Sequence, residues 1–274
     1  MTPPIIIAAF GTTSKARAVY DQVDAHLKQH FKRHRIHWAF TSRIVRGHLN
    51  KNTINLLSPA EVLADVAEKG NPWAVVQSFN MICGHEFHRL AGEVQHSVCR
   101  VSVGHSLLCS PWDHHAVATA LAPVFARDES EAILLVGHGT DHCAWTTYPA
   151  FYYRLKEMYG QRAFGGMIED GWPGRDTIIR KIVEAGFDRV RLMPFMLVAG
   201  VHFEEDLAGS EGSWKTALED HGIQVALENE ALGVRPPIID IFTEHIRSAL
   251  SVIPSTKARK MPESNCESNA SSWL

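Results

Sequence analysis

Residues 189–214 read RVRLMPFMLVAGVHFEEDLAGSEGSW. A mainly apolar run climbs from Arg189 to Val198 and breaks at Ala199-Gly200. His202 follows at once, then the acidic patch of Glu204, Glu205 and Asp206. This is the pattern of a buried strand whose C-terminal end opens into a loop of polar groups. In open α/β sheets ligands bind there, because strand ends set loop side chains over a crevice. A histidine in that place can meet a metal ion or a proton. Taken alone, it can equally be a loop histidine beside a solvated acidic cluster.

The same strand-then-polar-loop unit recurs in both directions from this stretch. Upstream, Ala132 to Val136 is an apolar run ended by Gly137-His138-Gly139-Thr140, and Ala163 to Ile168 runs into Glu169. Helical patterns separate them, at about Asp113 to Ala126, Trp145 to Tyr159 and Arg175 to Ala185. Downstream come a helix near Trp214 to Glu219, a strand at Ile223 to Leu227 and a helix at Ile238 to Leu250. The first half repeats the alternation. Ile5 to Phe10 is a strand ended by Gly11-Thr12-Thr13, and Val19, Val23, Leu27 and Phe31 share one helical face. Ile36 to Phe40 and Trp73 to Phe79 are strands, Arg100 to Val103 a weaker one, and a helix follows Gly84. Ser58-Pro59-Ala60-Glu61 has the Ser N-cap, Pro at N1 and Glu at N3 of a helix start. Strands alternating with helices of this length predict βαβ units and parallel sheets.

The halves can be laid over each other. Ala9-Phe10-Gly11-Thr12 matches Gly137-His138-Gly139-Thr140, Ala39-Phe40 matches Ala163-Phe164, and Gly84-His85-Glu86-Phe87 matches Gly200-Val201-His202-Phe203. The offsets shrink along the chain, as small deletions would make them. The predicted fold is therefore α/β, in two similar lobes with a cleft between: an N-terminal lobe over 1–112, a C-terminal lobe over 113–254, and a polar tail over 255–274 read as disordered. Strand ends of a parallel sheet converge on one edge, so His138, Glu169 and His202 fall to one site, with Glu86 facing them from the other lobe. Two histidines and a carboxylate leave coordination positions open, which suits a catalytic divalent ion such as cobalt, iron, nickel or zinc. The plainer reading makes Gly-His-Gly-Thr a tight turn and Glu169 a helix cap.

Composition excludes several classes. A net charge of −3 gives no footprint for nucleic acid or a membrane surface. No apolar run reaches the length of a membrane span. The N-terminus lacks a basic region ahead of its short apolar stretch, so the chain reads as cytoplasmic. Its 5 cysteines include no Cys-x-x-Cys pair, which argues against a disulfide framework or structural zinc.

The residues that locate the site also carry a likeness. Over about residues 4 to 250 the chain resembles the class II tetrapyrrole chelatases, specifically the anaerobic sirohydrochlorin cobaltochelatase family. The ordered motifs are Phe10-Gly11-Thr12, Phe40-Thr41-Ser42, Cys83-Gly84-His85-Glu86-Phe87, Gly137-His138-Gly139-Thr140, the Glu169 strand end and Leu197-Val198-Ala199-Gly200-Val201-His202. Asp206-Leu207-Ala208-Gly209 and Ser213-Trp214 complete the set. The likeness implies two α/β lobes and a reaction that inserts a divalent ion, Co2+ or alternatively Fe2+, into a metal-free tetrapyrrole. It implies His138 and His202 as metal ligands with a glutamate, Glu169 or Glu86; Glu169 is favoured because it shares a lobe with the histidines. His138 and Glu86 are the expected proton acceptors. Phe10, Gly11, Thr12, Ser42, Arg43 and Arg46 are the expected substrate contacts, with Lys15, Arg17 and Thr13 as further donors to an anionic rim and Trp38 and Trp172 as stacking surfaces. No organic cofactor is expected, and a homo-oligomer is allowed. The chain departs from the family at Phe203-Glu204-Glu205, where a small residue and an Asn are usual. A metal or tetrapyrrole carrier and a metal-dependent hydrolase are the other readings.

Overall fold

Strands buried on both faces of a parallel sheet read as unbroken apolar runs, and the opening run behaves so: Ile5 to Ala9 are all buried. The computed structural model describes residues 2–12, 17–50, 56–169 and 171–254. Thr13, Lys15 and the 255–274 tail lie outside these. Strands β1 (Ile5–Ala9), β2 (Ile36–Phe40), β3 (Trp73–Phe79) and β4 (Arg100–Gly104) form one parallel sheet in the order β2-β1-β3-β4. Strands β5 (Ala132–Gly137), β6 (Ala163–Met167), β7 (Arg189–Pro194) and β8 (Gln224–Leu227) form a second in the order β6-β5-β7-β8. The second order is the first renumbered, so the internal repeat is a repeat of topology.

Alternation along each strand divides the side chains between layers. Ile5 and Ile7 of β1, and Ile133 and Leu135 of β5, join one core that runs through both halves of the chain. Ile6 and Ala8 face an outer cluster with helices α3 (Pro59–Glu68) and α4 (His85–Gln95). Leu134 and Val136 face another with α8 (Arg175–Glu184) and α9 (Trp214–Glu219). The shared core takes in α1 (Ala18–His30), α2 (Arg43–Asn50), α5 (Pro111–Ala120), α6 (Ala122–Phe125), α7 (Thr147–Tyr159) and α10 (Pro236–Ser251). Helix α10 follows the second sheet in sequence, yet it packs on β3, β4, α1 and α5. A boundary drawn at residue 112 by chain order leaves this return out of account. Ile238, Ile239, Ile241, Phe242 and Ile246 of α10 are buried. At roughly 1.5–3 kcal/mol each, they contribute on the order of 10 kcal/mol gross, comparable with the whole net stability of a domain.

Three elements differ from the sequence reading. Strand β7 ends at Pro194 rather than Val198; proline offers no N–H of its own, and beyond it the Phe195 N–H still reaches the Val136 carbonyl of β5 at 2.7 Å. The helix placed over 113–126 is two, α5 and α6, broken at Leu121 ahead of Pro123. Helix α2 has no counterpart in the reading. Ser42 caps it, accepting the Val45 N–H at 3.3 Å, and Val45 and Leu49 are buried. Its basic residues and Gly47 hide that face in the sequence. The expected start of α3 is found as read, with the Ser58 and Glu61 side chains bonding each other's backbone N–H.

Candidate metal centre

In each sheet the chain crosses to the other side between its first and third strands, so a switch point lies between β1 and β3 and another between β5 and β7. Crevices at such points receive ligands. His138 is the first residue beyond β5, and the segment after β7 leads to His202. The two rings stand 4.7 Å apart between centroids and at 88°. Glu169 arrives from β6: its N–H donates to the His138 carbonyl at 2.9 Å, pinning the two strand ends together. The Oε2 of Glu169 lies 3.6 Å from Nδ1 of His138. The structure thus sets His138 against each of the other two residues singled out in the second half, while the donor atoms of the three do not all fall within 4.8 Å of one another.

The local backbone explains these positions. Gly139 after His138, and Gly11 after Phe10, both have left-handed φ, at 89° and 100°, a conformation that favours glycine. Under each turn sits a buried tyrosine from the next helix, Tyr20 or Tyr148. Burial pushes both phenols up to about 12, opposed by a backbone hydrogen bond from Gly11 or Gly139 respectively. The two lobes therefore build the same turn, with Phe10 where the other carries His138. His202 precedes a π turn over Phe203–Leu207, in which the Ala208 N–H reaches the Phe203 carbonyl at 2.9 Å. Such i→i+5 turns recur at functional sites. Phe203 packs against the outer core of the second sheet, and Nδ1 of His202 meets Oδ2 of Asp206 at 2.8 Å.

The two carboxylates therefore stand differently to their histidines. Asp206 is at hydrogen-bond distance, so Nδ1–H donates to it and Nε2 keeps its lone pair; a carboxylate in that position orients a ligating imidazole. The 3.6 Å between Glu169 and His138 is too long for a hydrogen bond. Nδ1 of His138 lies instead 3.3 Å from the Gly139 carbonyl, a contact that leaves Nε2 as the nitrogen available to an ion. A pocket of about 330 Å3 opens beside both carboxylates, lined also by Pro173, Arg175 and Trp214.

Glu86 opens α4 in the first lobe. It accepts the Thr41 hydroxyl at 2.7 Å and an Arg89 N–H at 2.7 Å. Phe10 is 48% exposed at the end of β1, and Gly11 and Thr12 beside it are half-buried. Arg43 is exposed, whereas Arg46 turns to Glu61 at 3.4 Å and Ser42 is buried as the α2 cap. Trp38 stays within the aromatic cluster of Tyr20, Phe40 and Phe79 and donates its indole N–H to Asp24. Trp172 is exposed.

Contacts between the lobes were not foreseen. Nε2 of His85 meets Oδ1 of Asp141 at 2.7 Å, and Nδ1 of His88 meets Nε2 of His142 at 3.2 Å. The Ala144 N–H donates to Nδ1 of His142 at 3.0 Å, so neutral His142 carries its proton on Nε2 and donates it to His88. Desolvation, and then the electrostatic influence of His88 and His85, hold the His142 imidazole below its ordinary value. The hydrogen bond from His85 draws the Asp141 carboxyl down. These four residues clasp the start of α4 to the loop that carries His138. Their only trace in the sequence is their closeness to Glu86 and to Gly-His-Gly-Thr.

Two parallel-sheet lobes of this order, meeting at their switch points, form the chelatase fold. A Bacillus subtilis SirB structure with Fe3+ superposes with a TM-score of 0.66 at 15% identity, covering 92% of this chain and 96% of that one. Within that class the chain belongs to the CbiK cobalt chelatase family, whose model matches residues 4–251. It is 30% identical over 220 residues to a Salmonella typhimurium sirohydrochlorin cobaltochelatase, covering 78% of this chain and 83% of that protein. It is 28% identical over 258 residues to the sirohydrochlorin cobaltochelatase CbiKC of Nitratidesulfovibrio vulgaris, covering 91% of each.

Proposed function

We infer that the protein inserts Co2+ into sirohydrochlorin, a metal-free tetrapyrrole with a carboxylate rim. One divalent ion enters the macrocycle and two pyrrole protons leave it. The observation that carries the reading is the perpendicular His138–His202 pair at the β5/β7 switch point with Glu169 beside it. His138, His202 and Glu169 hold the ion, and Asp206 sets the tautomer of His202 so that Nε2 faces metal as a lone pair. Two imidazoles and a carboxylate suit a divalent transition ion and leave coordination positions open to the macrocycle. As the ion passes to the macrocycle, the freed His138 imidazole takes one pyrrole proton. Glu86, positioned by hydrogen bonds from Thr41 and Arg89, takes the second from the opposite lobe. Phe10, Gly11, Thr12 and Arg43 form the first-lobe wall against the macrocycle and its anionic rim.

An anaerobic absorbance assay with sirohydrochlorin and Co2+, then Fe2+, against a no-enzyme control tests this. The free-base spectrum is expected to disappear catalytically with Co2+, and His138→Ala to lower that rate at least about a hundredfold with the fold intact. Tight binding of ion or macrocycle without turnover would make the protein a carrier. Faster turnover with Fe2+ would make it an iron chelatase.

A further inference from the structure

Helices α1 and α10 carry a group of ligands that the insertion chemistry does not use. His26 and His30 lie one turn apart on α1 and so share a face. Their rings stand 4.8 Å apart and 32° from parallel. Asp240 comes from α10. Its Oδ1 is 2.8 Å from Nε2 of His26 and 3.9 Å from Nε2 of His30. Among the described residues this is the one trio of His, Cys, Asp or Glu whose donor atoms all lie within 4.8 Å of one another.

We propose that His26, His30 and Asp240 form a second divalent-ion site, separate from the centre at the strand ends. A tetrahedral ion would hold its ligands roughly 3.4 Å apart, so the shorter separation must open and the longer one close, each by roughly 0.5 Å. Both are within reach of side-chain rotation, because His30 and Asp240 are 34% and 56% exposed. Two imidazoles and one carboxylate select a transition ion such as cobalt, nickel, zinc or copper over magnesium or calcium, which require oxygen. The remaining coordination positions face water, so the ion exchanges freely.

Arg247 opposes the ion. Its Nη2 is 3.3 Å from Nδ1 of His30, and its other amino group pairs with Glu244. The guanidinium donates to Nδ1, which leaves the His30 proton on Nε2, where the ion must bind. Loading therefore shifts that proton to Nδ1, and Arg247 withdraws to Glu244 alone. A bound ion ties α1 to α10, the helix that returns from the second sheet to the first.

Equilibrium dialysis with Co2+ alone tests the site. The intact chain is expected to bind two ions, His138→Ala/His202→Ala one, and the same chain with His26→Ala/His30→Ala added none. In the His138→Ala/His202→Ala background, Asp240→Asn, nearly isosteric, weakens the remaining site at least tenfold, and Arg247→Gln tightens it severalfold. Circular dichroism verifies that each variant is folded. The proposal is overturned if the His138→Ala/His202→Ala chain binds no ion, if it still binds one after the α1 histidines are removed, or if Asp240→Asn leaves its affinity unchanged.

Discussion

At the scale of single residues, the two carboxylates at the strand ends divide their work by less than an ångström. Asp206 at 2.8 Å from His202 makes a hydrogen bond, while Glu169 at 3.6 Å from His138 does not. Only the first can fix a tautomer. Asp206→Asn should therefore weaken Co2+ binding about 10–100-fold, the usual cost of losing a carboxylate behind a ligating histidine. Titration calorimetry with Co2+ measures it, and an unchanged affinity would remove Asp206 from the site. His138, Glu169 and His202 stood out in the sequence because each follows an apolar run, and the proximity of His138 to each of the others is what the structure adds. Asp206 was visible only as one of three neighbouring acids; picking it out required the π turn that brings it back to His202. Arg46 and Ser42 resembled substrate contacts for the same reason that Arg43 did. Their side chains are committed to Glu61 and to the α2 N-terminus, and nothing in a linear pattern distinguishes them.

At the scale of elements, the clasp between α4 and the His138 loop is a pH-dependent contact. The groups that meet there are His85, His88, Asp141 and His142. Desolvation and the neighbouring His88 and His85 keep His142 below its ordinary value of 6.5 while the clasp is made. A histidine lowered in the closed state favours that state neutral, so the gain is present above the ordinary value and is lost as pH falls below it. The His85–Asp141 pair, whose carboxyl is lowered, persists to more acid pH. Amide exchange over residues 141–146 should thus speed up several-fold between pH 7.5 and 5.5, corrected for intrinsic rates, and more so than over β5. Equal protection at both pH values would contradict the clasp. Element by element, strands were the most legible part of the fold, because buried parallel strands are apolar throughout. Helix α2 was missed because only Val45 and Leu49 mark its buried face.

At the scale of the whole molecule, one core passes through both lobes, and α10 closes it. The Asp113–His245 pair ties that helix to α5: Nε2 of His245 meets Oδ1 of Asp113 at 2.8 Å, and the carboxylate's other oxygen accepts the Ser110 N–H. Burial pushes the Asp113 carboxyl up, but His245 and the Ser110 donors outweigh it and leave it below its ordinary 3.8. A lowered carboxyl contributes stability above its ordinary value and loses it as pH falls through the depressed one. Asp113→Asn should cost roughly 3 kcal/mol at pH 7, as breaking a buried pair does, with the deficit shrinking toward pH 3. Urea unfolding at the two pH values measures it, and a deficit independent of pH would exclude the charge as the cause. The two-lobed plan was legible in the repeat, but the return of α10 was not, since chain order gives no sign of which sheet a final amphipathic helix will cover.

That return has a consequence for how the chain is made. During synthesis the first sheet leaves the ribosome early, with β3 and β4 lacking the helix that covers them. The residues that supply the cover, 236–251, emerge only after the eight strands of the described residues. Of the two lobes, the one translated earlier is thus finished later, and a nascent chain carries its exposed apolar face until residues 236–251 follow. Such faces bind chaperones and favour aggregation until they are covered, so α10 sets the moment at which the first sheet is protected.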